Sequence, residues 1–333
     1  MLLGKEVVDA MGEAAVSRVE ALRNRGVVPT LAIVRMGERP DDLSYERTAV
    51  KRAEKLGVSV RTFVLDADAS EEELLDVIGE VNEDDGIHGC LMFRPLPAHI
   101  DETRVCNELS VRKDIDGITR ASLASVFTGE GEGFPPATAQ ACFSMLDHHG
   151  IPVAGKRVVV VGRSLVIGRP AAAMFLNRDA TVTVCHSRTV GLADAMREVD
   201  IVVCATGRAR AYGAECFRQG QTVLDVGINF DEAGNMCGDV DYAAVEPVAS
   251  LAFPFGSHPA PDRRRRRFPR FFSCGFALNL PGFPARFAPA FCSFIVPCGF
   301  DCVTSVDMSY HERMANGLTY TRKTSSTEGT KQL

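Results

Sequence analysis

Cysteine pairs spaced as CxxC are missing from this chain, as are cysteines set at zinc-ligand spacing from histidine, although eleven cysteines are present. Structural zinc is therefore excluded, and in a reducing compartment so are disulfides; most of these residues read as small buried apolar side chains. An excess of positive charge is missing too. With 37 Lys and Arg against 43 Asp and Glu, the net charge is -6, so no general attraction to nucleic acid or to an anionic membrane is expected. The chain does not open on a basic stretch followed by an apolar one. Its first residues, MLLGKEVVDAMGEAAVSRVEALRNRG, carry acids early and read as an amphipathic helix, which excludes a signal peptide and implies a cytoplasmic location. What is present is length and apolar content: 333 residues, 46% hydrophobic, enough for two domains with buried cores.

The apolar runs alternate with helical patterns. Val27 to Val34 reads as a buried parallel strand, followed by the loop MGERPDD and a helix over SYERTAVKRAEKLG. VSVRTFVL is a second strand, Ser70 with Glu73 forms a capping box opening the helix EEELLDVIGEVNED, and IHGCLMF is a third strand. Parallel crossovers of this kind put ligands at the carboxyl ends of the strands, where MGERPDDLSY and RPLPAHID fall. A helix around Thr138 to His149 leads to a second alternation: KRVVVVG, a helix from Arg169, TVTVCHS, a helix near Gly191 to Glu198, DIVVCATG and TVLDVGIN. This second half is Rossmann-type.

The segment VVVVGRSLVIGRP supplies the sharpest local chemistry. Its strand ends at Gly162 and its helix begins near Gly168, so backbone amides at the helix start can face a pyrophosphate. The glycines with Ser164 fit GxSxxxG and not GxGxxG, and a plain strand-to-helix turn is the alternative. The next strand ends in CHSRT, without the carboxylate that would grip a ribose 2′-hydroxyl. Arg163, Ser187 and Arg188 can instead hold a 2′-phosphate, which favours NADP over NAD; otherwise Arg188 is a solvated loop residue.

From the amino terminus to about Ser250 the chain resembles the methylenetetrahydrofolate dehydrogenase/methenyltetrahydrofolate cyclohydrolase family. The resemblance is carried by the Tyr45 helix, NEDDGIHGCLMFRPLP, KDIDG at 113 to 117, PPATAQA, GRSLVIGRP, CHSRT, DVGIN at 225 to 229 and GDVD at 238 to 241. It implies a two-domain α/β protein: a folate-binding catalytic domain over 1–145, a Rossmann-type NADP domain over 146–250, and a homodimer formed through the cofactor domains. By resemblance Tyr45 stacks on or bounds the folate ring system, Asp116 hydrogen-bonds its amino-pyrimidine, and Ile228 lines the nicotinamide nucleotide. Taken without the family, Tyr45 reads as a packing residue and Asp116 as a turn former.

Two departures bear on the hydrolytic half of the family's chemistry. The family places a lysine four residues after the tyrosine and a glutamine just before LPLP; this chain has Ala49 and Phe93 there. Lys51 is the nearest candidate base, but it lies roughly 120° around the helix from Tyr45 at about 100° per residue, and its plain reading is an exposed lysine. The third departure is the segment 251–333. It holds more than half of the nineteen phenylalanines, five consecutive arginines at 263–267 and no clear period, and it reads as an atypical unstructured tail. SHPAPDRRRRR stands where the family has a TPVPGGVGP loop followed by a final helix, a pattern that a frameshift converting glycine codons to arginine codons would produce. A nucleic-acid arm and a membrane segment are weaker readings, since stacking platforms sit on folded strands and prolines and glycines interrupt every apolar stretch before ~20 residues. The functional classes in play are an NADP-dependent dehydrogenase acting on a tetrahydrofolate derivative, a shikimate- or amino-acid-dehydrogenase-like oxidoreductase, and a non-catalytic remnant of the folate family.

Overall fold

Residues 2–232 and 235–253 are described by the computed structural model. The arginine run and the proposed out-of-frame segment lie outside them. The chain runs through β1 (Leu2–Leu3), α1 (Gly4–Arg23), β2 (Thr30–Met36), α2 (Pro40–Leu56), β3 (Ser59–Leu65), α3 (Glu71–Glu83), β4 (Gly89–Met92), α4 (Glu102–Glu108), α5 (Arg120–Thr128) and α6 (Ala137–His148). It continues with β5 (Arg157–Val161), α7 (Gly168–Leu176), β6 (Thr181–Cys185), α8 (Leu192–Arg197), β7 (Ile201–Cys204), β8 (Thr222–Asp225), β9 (Asn229–Phe230), β10 (Met236–Cys237), α9 (Tyr242–Val245) and β11 (Ser250–Phe253). Among the described residues no helix is long and apolar enough to cross a membrane.

Local signals account for most boundaries. β2 begins at Thr30 and not at Val27, because Pro29 between them has no N–H to give a sheet ladder. α2 starts four residues earlier than Ser44: Pro40 sits in its first turn with Asp41 and Asp42, a fixed φ and two negative charges suiting the positive end of the helix dipole. At α3 the capping box forms as expected, with the Glu73 N–H donating to Ser70 Oγ at 3.2 Å and the Ser70 N–H to Glu73 Oε2 at 2.7 Å. The RVVVV run of β5 is buried after its first residue, as a parallel strand covered on both faces must be.

Two parallel sheets result. The first has the order β3-β2-β4; the second, six-stranded, has the order β1-β11-β8-β7-β5-β6. In the second, β6 lies on one side of β5 and β7 on the other, so strand order reverses between β5 and β7. α1 links the two cores. Its Val7 and Met11 pack with Val158, Val160 and Phe175 beneath the second sheet, while Ala15, Val19 and Leu22 pack with Leu31, Ile33 and Leu91 under the first. Each buried Val, Leu or Met among these contributes about 1.5–3 kcal/mol and Ala15 less, so one helix anchored in both cores fixes the crevice between them. The division of the chain at 145/146 thus has an exception, since β1 and the first turns of α1 serve the second sheet. The atypical segment is expected from 251 onward, whereas Ser250 to Phe253 form β11, paired between β1 and β8.

Candidate active site

The point where strand order reverses is where an open parallel sheet leaves a crevice at its carboxyl edge. Gly162 ends β5 there with φ 127°, a conformation few L residues adopt, and a Cβ on it would stand 2.2 Å from the Ala205 carbonyl oxygen at the end of β7. A Cβ on Gly168 would stand 2.2 Å from the Gly162 carbonyl oxygen, so the start of α7 presses directly on the turn. Ser164 closes the loop from within: its Oγ accepts from the Ile167 N–H at 3.1 Å and the Gly168 N–H at 3.5 Å. Arg163 and Ser164 are left exposed above it.

Beside this turn, the Gly162 N–H donates to the Cys185 carbonyl at the end of β6. The residues that follow form a small closed turn. The His186 N–H donates to Thr189 Oγ1 at 2.9 Å and the Arg188 N–H to His186 Nδ1 at 3.1 Å, which leaves Ser187 and Arg188 exposed with no carboxylate in the turn. Ile228, 44% exposed, follows β8 on the far side of β7. Gly162, Arg163, Ser164, Gly168, Ser187, Arg188 and Ile228 therefore all lie at the carboxyl edge of one sheet. The two glycines let the ends of β5 and β7 and the start of α7 approach backbone to backbone around this turn, the close helix–strand packing that a dinucleotide-binding turn requires.

In the first lobe Tyr45 and Ala49 lie one turn apart on α2, and the Tyr45 ring packs against Phe93 with centroids 5.1 Å apart at 56°. Ala49 and Phe93 are buried with Ile115 and Phe134 in the same core. Lys51 does not join them. It is exposed on the solvent side of α2, as the helical period requires of a residue two beyond buried Ala49.

KDIDG divides its labour residue by residue. Lys113 is buried and donates to the Val81, Asn82 and Asp84 carbonyls, capping the end of α3; burial lowers its pKa. Asp114, fully buried, accepts from the Ile118 and Thr119 N–H groups and the Ser122 hydroxyl, anchoring the start of α5. Asp116 makes neither contact and is half-buried. Burial pushes its carboxyl up to about 6, against the pull of the Arg94 cation and with a further push from Asp114.

Sequence reasoning missed Arg94. Its Nε is buried and has no hydrogen-bond partner among the described residues, and its Nη1 lies 3.5 Å from Glu102. The only signal was a charge at the head of RPLP. It also missed the buried carboxylates Asp225 and Asp239, although both fall in quoted motifs, because their partners are far away in sequence.

A strand-order reversal lined by a glycine turn and an acid-free second strand defines a dinucleotide-binding α/β protein with a second ligand lobe. Residues 2–116 match the tetrahydrofolate dehydrogenase/cyclohydrolase catalytic domain and residues 136–257 the NAD(P)-binding domain of the same family. The chain belongs to the tetrahydrofolate dehydrogenase/cyclohydrolase family. It is 45% identical over 255 residues to the bifunctional protein FolD of Carboxydothermus hydrogenoformans, covering 76% of this chain and 89% of the relative. To FolD of Clostridioides difficile it is 41% identical over 254 residues, covering 76% and 88%. Among solved structures, the bifunctional FolD methylenetetrahydrofolate dehydrogenase/cyclohydrolase of Campylobacter jejuni superposes with a TM-score of 0.74 at 32% identity, covering 76% of this chain and 90% of that one. The Trypanosoma brucei enzyme, complexed with NADP cofactor and an inhibitor, gives 0.71 at 31% identity with the same coverage.

Proposed function

We propose that this chain oxidises 5,10-methylenetetrahydrofolate to 5,10-methenyltetrahydrofolate with NADP, and that its hydrolytic step toward 10-formyltetrahydrofolate is lost or strongly reduced. The observation that carries the second clause is the apolar contact of Tyr45 with Phe93 over buried Ala49, in the positions where the family pattern has a lysine and a glutamine. Hydrolysis of the methenyl bridge needs a general base in reach, and neither Ala49 nor Phe93 can take a proton. Hydride transfer needs chiefly proximity and orientation. When bound, NADP supplies the hydride acceptor.

The roles of this chain's residues follow from their chemistry. The turn from Gly162 to Gly168 offers backbone N–H groups to a pyrophosphate, Arg163, Ser187 and Arg188 suit a 2′-phosphate, and Ile228 bounds the nicotinamide side. Tyr45 bounds the folate ring, and ionised Asp116 accepts the N–H groups of its amino-pyrimidine. The ring of Phe93 makes this wall apolar and keeps water from the methenyl carbon. A homodimer through the cofactor lobes is supported by β6, an edge strand with Thr181, Thr183 and Val184 exposed. A cytoplasmic location is supported by the cysteines: Cys90, Cys106, Cys142, Cys185, Cys204 and Cys216 are buried as free thiols.

The test is a paired assay on the full chain. NADP reduction with methylenetetrahydrofolate is expected, with methenyltetrahydrofolate accumulating and decaying at its uncatalysed rate. Methenyl consumption well above that rate overturns the loss of hydrolysis, and an absence of NADP reduction overturns the dehydrogenase.

A further inference from the structure

DVGIN and GDVD each contain an aspartate that the site described so far does not use, and both are buried: Asp225 is 1% exposed and Asp239 0%. Asp239 Oδ2 accepts from the Thr206 N–H at 2.5 Å, the Thr206 hydroxyl at 2.9 Å and the Gly207 N–H at 3.3 Å. Its Oδ1 accepts from the Arg208 N–H at 2.9 Å and from Asn229 Nδ2 at 3.0 Å. One carboxylate thus ties together the loop that follows β7 and the strand residue next to Ile228. That loop begins at Ala205, whose carbonyl oxygen abuts Gly162 of the phosphate turn. The two segments held by Asp239 are therefore two walls of the same crevice.

Asp239 is held in turn. Asp225 accepts from the Asp239 N–H and the Val240 N–H, each at 3.0 Å, and from the Gly227 N–H at 3.2 Å. The two aspartates interlock through glycines: a Cβ on Gly227 would stand 2.0 Å from Asp239 Oδ1, and one on Gly238 would stand 1.8 Å from Asp225 Oδ2. Neither motif can close unless the other offers a residue with no side chain at that point. A carboxylate that accepts only from N–H and O–H donors is fully used, and an amide in its place would set its own NH2 against them.

We propose that Asp239 is a positioning residue of the dinucleotide site, fixing loop 206–208 and Asn229 as the nicotinamide-side walls of the crevice, with Asp225 locking Asp239 in place. It touches no ligand itself. The inference rests on the NADP reading above for its functional consequence and on the hydrogen bonds alone for its structural one.

The experiment measures both in the full chain. In the cofactor-free protein, hydrogen exchange at the amides of Thr206 to Arg208 is expected to speed up about tenfold or more in Asp239→Asn, relative to β5 amides. NADP binding by titration calorimetry is expected to weaken by about tenfold, while the KM for methylenetetrahydrofolate stays within about twofold. Thr206→Val removes one hydroxyl donor and is expected to move both readouts in the same direction by about threefold, and Thr206→Ser to restore them. A merely structural role would lower melting temperature and the active fraction without this split. Unchanged exchange at 206–208, or NADP affinity within twofold of the parent in both Asp239→Asn and Thr206→Val, overturns the inference. If Asp239→Asn does not fold, the Thr206 pair decides. If the parent itself binds no NADP, the cofactor reading fails and the exchange comparison still judges the positioning role.

Discussion

Asp116 is the residue whose ionisation most directly controls the proposed chemistry. The amino-pyrimidine it is expected to hold presents N–H donors, so only the ionised carboxylate binds well. With the folded-state value near 6, raised by burial, the KM for the folate is expected to rise by roughly tenfold for each pH unit below that value and to be flat above it. Asp116→Asn should show a high KM without this pH dependence. Arg94→Leu should move the upturn to higher pH, because the Arg94 cation holds the carboxyl below where burial alone would put it. A KM profile flat from pH 5 to 8 in the parent would show that Asp116 does not bind the substrate. The pair Ala49→Lys and Phe93→Gln is the constructive counterpart. Restoring a base should raise methenyl hydrolysis by about 100-fold or more, while replacing a buried phenylalanine with a polar side chain lowers the melting temperature. Measured together, the two show whether the apolar wall trades stability against hydrolysis.

At the scale of elements, the phosphate turn depends on glycine for two independent reasons, conformation and space. Gly162→Ala must both hold φ near 127° and move the Ala205 carbonyl, and it is expected to cost more than ~2 kcal/mol and to abolish NADP binding, read by thermal unfolding and calorimetry. How much was legible in the sequence also differs by element. β5, α3 and the glycine turn were legible because their signals are local: a five-residue buried run, a capping box, two glycines around a serine. α4 and α5 were not, because they are short and take their starting geometry from tertiary partners. Thr119 caps α5 while Asp114, five residues back, accepts its N–H, and the Arg120 N–H donates to Asn107 in α4. The same distinction holds at the site. The proposed roles of Tyr45 and Asp116 rest on a family pattern, whereas Asp239 hydrogen-bonds residues 31 to 33 positions away, which no periodicity reports.

For the whole molecule, a ligand that binds the native state must raise its stability. NADP at about 100 times its dissociation constant contributes about 2.7 kcal/mol, and for a chain of this size the melting temperature is expected to rise by roughly 4–5 °C. No shift at saturating NADP would favour a remnant that keeps the fold without the function. The feature that makes such a test global is α1, which places apolar side chains in both cores, so that tightening one lobe is transmitted to the other.

The parallel pairing of β1 with β11 puts Leu2 beside Ala252, partners at opposite ends of the described residues. A ribosome adding about 5–20 residues per second delivers β11 roughly 10–50 seconds after β1. Throughout that interval β1 waits for its partner, and the six-stranded sheet is completed only when β11 enters between β1 and β8.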